Sequence, residues 1–192
     1  MPDQAVRFLK EFVSKPQEIG AIAPSSPALA REVVRSVDWE RVGIVVEYGP
    51  GMGAVTAEIL TKTKGKDFFA IEVNEAYADR FTRNFPHVRL YRDSAVNVPS
   101  IAAAHGVDHV DCVVSGLPWA NFSESIQDEL LDAMFEVLVE NGQFTTFAYM
   151  HGLALPAGRR FRDKLLSRFR GVERSPVVWR NTPPAVVYHC VR

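Results

Sequence analysis

Glu47, Gly49, Gly51 and Gly53 fall close together in the run Val42–Gly53, V-G-I-V-V-E-Y-G-P-G-M-G. A β-branched stretch ends in a carboxylate. A turn with glycine at alternate positions follows, and then the helical-looking stretch Ala54–Lys64. Such a strand–loop–helix lets backbone approach a ligand closely, because glycine has no Cβ to hold it off. Gly49, Gly51 and Ala54 also satisfy the dinucleotide pattern G-x-G-x-x-A, so the glycines alone do not choose the ligand. Glu47 does. Lying two residues before Gly49, it would repel a pyrophosphate, whereas a ligand with a cationic near end would gain from it. S-adenosylmethionine has that chemistry: an ammonium, a sulfonium and no phosphate. The alternatives are a plain tight turn closing an α/β unit, and a dinucleotide.

Further polar residues recur where strands should end. Glu72 follows the apolar run after Asp67, 19 residues beyond Gly53, where a carboxylate can accept both ribose hydroxyls. Asp93 follows a short third strand and is placed to accept from an adenine amino group, with the Ser94 amide beside it. Ser115-Gly116-Leu117-Pro118-Trp119 ends a fourth strand, where a transferred methyl would emerge. Ligands of open α/β sheets sit beyond the carboxyl ends of strands. Each residue alone has a bland reading, Glu72 as a solvated strand end and Asp93 as a turn residue; as a set they mark one site.

The elements that must position these groups read as alternating strands and helices. Ser26-Pro27 is an N-cap and first-turn pair opening a helix to about Val37. Strands are predicted at Val42–Tyr48, Asp67–Glu72, Val88–Tyr91, Val110–Ser115 and Gln143–Tyr149. Helices are predicted at Glu75–Phe85, from Ser123 with the stripe Ile126, Leu130, Met134 and Val137, and at Gly158–Arg170, with Asn141-Gly142 as a break. Val172–Arg180 and Ala185–Val191 flank N-T-P-P as a terminal hairpin. The expected architecture is one domain over 1–192: the α/β, class I methyltransferase (Rossmann-like) three-layer sandwich. Its seven-stranded sheet is mostly parallel with an antiparallel C-terminal hairpin.

Composition narrows the classes. No apolar run reaches the length of a membrane span, and the N-terminus has charges where a signal peptide needs an apolar core, which predicts a cytoplasmic protein. Cys112 and Cys190 both sit in apolar runs and the five histidines show no ligand spacing with them, so neither a disulfide nor a metal site is expected. Charge is uneven: 13 Lys+Arg against 21 Asp+Glu in residues 1–150, and 9 against 2 in residues 151–192. A basic C-terminal quarter suits an anionic partner, either a membrane surface or nucleic acid.

F-L-K-E-F-V and I-G-A-I-A-P-S-S near the start, E-Y-G-P-G-M-G, S-G-L-P-W, and R-N-T-P-P-A near the end resemble the small bacterial phospholipid N-methyltransferases. The resemblance runs from about Phe8 to Tyr188. It implies that Glu47, Gly49, Gly51 and Glu72 bind the methyl donor, and that the reaction is stepwise N-methylation of phosphatidylethanolamine toward phosphatidylcholine; the residues do not separate this head group from another aminolipid such as an ornithine lipid. The sheet is also similar to that of the rRNA adenine dimethylases. Adenine-N6 enzymes usually present Asn or Asp before a Pro-Pro-aromatic segment, to hold a flipped base. Here that position is Gly116 and the aromatic is Trp119.

For an amine acceptor, the backbone carbonyls of Ser115 and Gly116 offer hydrogen bonds, and Trp119 and Tyr149 offer cation–π faces worth about 0.5–2 kcal/mol. Core or rim packing is the plain alternative for both rings. Pro24, Ser25 and Ser26 are placed over the donor pocket against substrate, Ser26 being first a helix cap; Arg180 and Asn181 are placed on a lipid phosphate, or simply in a hairpin turn. Direct in-line transfer to the neutral amine is expected, with its proton lost to water.

Two segments bear on a lipid surface. In Pro2–Ser14, Ala5, Val6, Phe8, Leu9, Phe12 and Val13 share one helical face, which fits either a bilayer interface or docking on the domain. Arg159–Arg170 holds six Lys+Arg and one Asp, with Phe161, Leu165, Leu166 and Phe169 in one arc. Its basic side offers a patch of about +5 to anionic lipid or RNA phosphates. The expectation is a cytoplasmic enzyme peripherally associated with the inner face of the membrane, its partners an anionic membrane surface and an aminophospholipid.

Overall fold

The computed structural model describes residues 25–192. The helix expected over Pro2–Ser14 and the first six residues of I-G-A-I-A-P-S-S, which end at Pro24, lie outside them.

In chain order the strands are β1 (Ile44–Tyr48), β2 (Asp67–Ile71), β3 (Arg89–Tyr91), β4 (Val110–Ser115), β5 (Leu138–Tyr149), β6 (Gly171–Arg174) and β7 (Ala185–Val191). They form one sheet in the order β3-β2-β1-β4-β5-β7-β6. The central strands β1, β2 and β4 are short apolar runs covered on both faces, whereas the edge strands are more polar. β1 to β5 are mutually parallel, and β7 runs antiparallel to both β5 and β6. The expected seven-stranded sheet with an antiparallel C-terminal hairpin is what forms.

Period-2 alternation divides the core into two layers. Val45, Cys112, Val114, Ala185 and Val187 face α1 (Pro27–Arg35) and α2 (Ala54–Leu60). Val46, Tyr48, Phe69, Val113, Phe144 and Tyr188 face α4 (Val98–His105), α5 (Glu124–Val137) and α7 (Pro156–Arg168). α3 (Glu75–Asn84) buries Ala78 and Phe81, and a single turn, α6 (Met150–Leu153), links β5 to α7. Burying a large aliphatic or aromatic side chain contributes about 1.5–3 kcal/mol, so the two layers hold the sheet from both sides.

Several elements differ from the sequence-based expectation. The first hairpin arm ends at Arg174 rather than Arg180, because Pro176 has no N–H for the ladder; only Val178 pairs again, with Ala185. Asn141-Gly142 is not a break. β5 runs through it as a bulge, with Asn141 at φ 63° and the register to β4 shifting between Val110 and Cys112. α4 was not expected, since its small apolar residues show little periodicity. In the helix read as Gly158–Arg170, which runs two residues earlier, Phe161, Leu165 and Phe169 are buried but Leu166 is half exposed.

The basic side of α7 is also less free than its sequence suggests. Lys164 pairs with Asp128 at 2.6 Å, Arg168 bridges Asp128 and Asp132, and Arg160 lies 3.9 Å from Glu124. The patch of about +5 is thus largely spent on α5.

Candidate active site

The carboxyl ends of β1, β2 and β4 bring two buried acids and two tight loops together. β1 delivers Glu47 and β2 is followed at once by Glu72. Glu47 is 1% exposed and Glu72 4% exposed, and neither meets a Lys or Arg among the described residues. Thr56 Oγ1, from the first turn of α2, donates to Glu47 Oε2 at 2.7 Å. Burial pushes the Glu47 carboxyl up to about 8; the Glu72 charge adds to this and the Thr56 hydroxyl opposes it. Burial also raises Glu72, against the backbone N–H groups that bind it. Asn74 N–H donates to its Oε1 at 2.9 Å and Gly51 N–H to its Oε2 at 3.1 Å. Glu72 therefore ties the glycine loop to β2. Two unneutralised acids in one buried place are costly unless something cationic joins them.

The glycine loop must be glycine for two separate reasons. Gly49, Gly51 and Gly53 all have positive φ. At Gly53, the N-cap of α2, a Cβ would lie 2.1 Å from Phe85 Cε2, so packing against α3 forbids a side chain. At Gly51 a Cβ would meet nothing within 4 Å, so the loop presents bare backbone to open space there. That is the cradle a ligand needs.

Asp93 follows β3 and is half-buried. Its Oδ1 accepts from Ser94 N–H at 2.7 Å and Asn97 Nδ2 at 2.9 Å. The Ser94 amide is thus engaged within its own turn, and the buried Ser94 caps the 3-10 turn Ala95–Asn97.

The loop after β4 touches the glycine loop directly. Gly116 N–H donates to Tyr48 O at 2.8 Å, and a Cβ on Gly116 would stand 2.6 Å from Gly49 O. No side chain fits at that position, which gives the physical reason an Asn or Asp is missing there. Ser115 Oγ accepts from Leu117 N–H at 3.3 Å and Trp119 Nε1 at 3.0 Å, while its carbonyl accepts from Thr146 Oγ1 at 3.0 Å. Ser115 therefore shapes the loop, and the Gly116 carbonyl is the one left without a donor among the described residues.

Beyond Gly116 opens a cleft lined by Leu117, Pro118, Trp119, Phe147, Tyr149 and His151. Among the described residues no carboxylate, Lys or Arg lines it. Trp119 is 2% exposed and stacks on Phe161 with ring centroids 4.5 Å apart, so it forms the packed floor and not an open wall. Tyr149 is half-buried, and its hydroxyl is enclosed with no hydrogen-bond partner among the described residues. Its ring lies parallel to His151 at 5.7 Å. The sequence reading passed over His151, which nothing but this neighbourhood marks.

The four residues expected on substrate divide. Ser26 Oγ caps α1 by accepting from Leu29 N–H at 3.2 Å, and Ser26 N–H donates to Asn181 Oδ1 at 2.8 Å. Asn181 is buried and donates through Nδ2 to Pro183 O at 2.7 Å, so it staples the hairpin turn to α1 and does not face a ligand. Ser25 lies half-buried beside this staple, and Arg180 is exposed with no ion pair among the described residues.

No family model matches the chain. An ornithine lipid N-methyltransferase of Singulisphaera acidiphila is 31% identical over 193 residues, spanning 95% of this chain and 93% of that protein. Among solved structures, the 1,6-didemethyltoxoflavin N1-methyltransferase of Burkholderia thailandensis, with its substrate and S-adenosylhomocysteine bound, superposes with a TM-score of 0.67 at 15% identity. That match covers 100% of this chain and 90% of that one. Human N-acetylserotonin methyltransferase in complex with its methyl donor gives a TM-score of 0.64 at 10% identity, covering 96% of this chain and 55% of that one. At such identities the structures speak for the fold, which is that of the class I methyltransferases.

Proposed function

The chain belongs to the lipid N-methyltransferases, and we propose that it methylates the primary amine of a membrane aminolipid, phosphatidylethanolamine toward phosphatidylcholine. Its methyl donor is S-adenosylmethionine. The chain's own residues fit that donor: two buried acids meet no Lys or Arg among the described residues, and backbone at Gly51 opens on free space beside them. When bound, S-adenosylmethionine supplies a methyl group on a positively charged sulfur.

The observation that carries the acceptor reading is that, among the described residues, no carboxylate, Lys or Arg lines the cleft of Leu117, Trp119, Phe147 and Tyr149, directly against the donor loop at Gly49 and Gly116. Such a cleft disfavours an ammonium and favours the neutral amine that must attack. The Gly116 carbonyl and the unpartnered Tyr149 hydroxyl are the groups that would orient that amine. Glu47 and Glu72 are committed to the donor, so the amine proton leaves to water at the cleft mouth. Positioning, not acid–base chemistry, then supplies most of the acceleration. A base amine held in a plane would need a side-chain acceptor, which the 2.6 Å approach at Gly116 forbids.

Ornithine lipid is the second reading for the head group, favoured by the name of the 31% identical relative. The test is transfer of labelled methyl from S-adenosylmethionine to anionic vesicles that hold either phosphatidylethanolamine or ornithine lipid, with undermethylated ribosomal RNA in parallel. Label in phosphatidylethanolamine is expected. Label confined to ornithine lipid would replace the head group, and label confined to RNA would overturn the lipid reading.

A further inference from the structure

Four large apolar side chains among the described residues are substantially exposed, and three of them stand at the cleft end of the sheet. Trp179 is 74% exposed, Leu155 44% and Met150 39%. Met150 follows Tyr149 directly, and its N–H donates to Pro184 O at 2.9 Å. Leu155 caps α7 and donates through N–H to the carbonyl of Gly152, a residue of the cleft wall, at 3.1 Å. Trp179 follows Val178, which bridges to Ala185, and Ala185 pairs on its other side with Tyr149. The backbone at Val178, next to Trp179, therefore stands about two strand spacings, roughly 10 Å, from that of Tyr149.

Exposed tryptophan at a mobile loop tip would mean little; this turn is pinned. Asn181 N–H donates to Val178 O at 3.3 Å, closing a turn whose two central residues are Trp179 and Arg180. The buried Asn181 side chain fixes the turn to Ser26 and to Pro183. Both neighbours face outward while the residues around them are held. Rim charge leans basic: segments 149–160 and 175–185 contain no Asp or Glu, Arg159 and Arg180 have no ion pair among the described residues, and Arg160 lies 3.9 Å from Glu124 of α5. A rigid amphipathic ring, flanking aliphatic side chains and two unpaired cations match the polar zone of an anionic bilayer, where tryptophan is enriched.

We propose that the Val178–Asn181 turn is a membrane anchor. Trp179 enters the head-group zone of an anionic bilayer, Arg180 meets a lipid phosphate, and the mouth of the Tyr149 cleft is thereby set against the surface. The proposal rests on the lipid reading above and adds the face on which the enzyme meets its substrate. RNA, which an exposed ring and arginine would also suit, is the rival outcome.

The experiment uses the full chain with vesicles of phosphatidylglycerol and phosphatidylethanolamine carrying brominated acyl chains. Tryptophan emission of the wild type is expected to be quenched, and most of that quenching to vanish in Trp179→Phe, which retains Trp39 and Trp119. Trp179→Ala should lower vesicle partitioning about tenfold while methyl transfer to a monomeric short-chain aminolipid stays at the wild-type rate. Equal quenching in Trp179→Phe, or unchanged partitioning of Trp179→Ala beside a wild type that methylates vesicle lipid, overturns the anchor and leaves the lipid reading standing. A wild type that methylates no lipid in either form overturns the lipid reading, and the anchor with it. Loss of RNA binding in Trp179→Ala with vesicle binding intact overturns the anchor in favour of base stacking.

Discussion

The proposed donor half of the site and the proposed acceptor half use opposite electrostatics within a few ångströms of each other. At the ends of β1 and β2, Glu47 and Glu72 are buried with no Lys or Arg against them among the described residues, and their carboxyl groups are bound by a hydroxyl and by backbone N–H groups. At the ends of β4 and β5, the cleft wall is largely aromatic and aliphatic, with Asn121 and His151, and among the described residues it holds no carboxylate, Lys or Arg. The two meet where Gly116 packs on Gly49 with no room for a side chain. An anionic pocket selects a cationic donor; a neutral pocket selects a neutral nucleophile. Keeping the charges on one side allows the fold to hold both.

The comparison breaks most completely at Glu47. Glu47→Gln keeps the Thr56 hydrogen bond but removes the charge, and donor affinity should fall ~100-fold or more in calorimetry. The same change should stabilise the ligand-free protein. Glu47 has its pKa raised from 4.5 to about 8 on folding, so its stability contribution is complete below about 4.5 and lost as pH rises through about 8. Glu47→Gln should therefore gain on the order of 2 kcal/mol in denaturant unfolding at pH 7.5 and little at pH 4.5. Equal gains at both pH values would contradict the assignment.

The junction comes next. Gly116→Ala places a Cβ 2.6 Å from Gly49 O, so the two loops must separate. A shift of that size should lower kcat/KM for the amine by about 100-fold, read in single-turnover transfer. If the rate survives, the loops do not set the line of transfer.

Tyr149→Phe sharpens the acceptor side. Its hydroxyl has no partner among the described residues, so removing it should leave stability unchanged and donor binding intact. The rate of methyl transfer should fall about tenfold if the hydroxyl orients the amine. Trp119→Phe has the smallest catalytic effect. It loses the Ser115 hydrogen bond and part of the Phe161 stack, and should cost about 1–2 kcal/mol in unfolding with little change in turnover.

How much of this was legible in the sequence differs between the same two halves. Glu47, the glycines and Glu72 are close in the chain and sit where local rules place strand ends, so the donor half is readable directly. The acceptor half depends on contacts that local pattern does not encode. Trp119 looks like a rim aromatic until Phe161, far along the chain, covers its face. Asn181 looks like a ligand-facing turn residue until Ser26, 155 positions earlier, takes its carboxamide oxygen. Lys164 and Arg168 read as a free basic face because their partners Asp128 and Asp132 lie on another helix. Asn141-Gly142 signals a turn locally, yet Asn141 N–H donates to Arg192 O and Arg192 N–H to Gly142 O, which keeps β5 in the sheet.

The most direct test of the opposed halves is the pH dependence of S-adenosylmethionine binding, measured by calorimetry between about pH 5.5 and 6.5, below the range where an α-amino group titrates. A Glu47 carboxyl raised to about 8 is neutral when the pocket is empty and must ionise to meet a cation. Binding should then release close to one proton and tighten up to tenfold per pH unit, and Glu47→Gln should abolish both effects. Binding that is independent of pH, with no proton released, would contradict a buried acid waiting for a positive ligand.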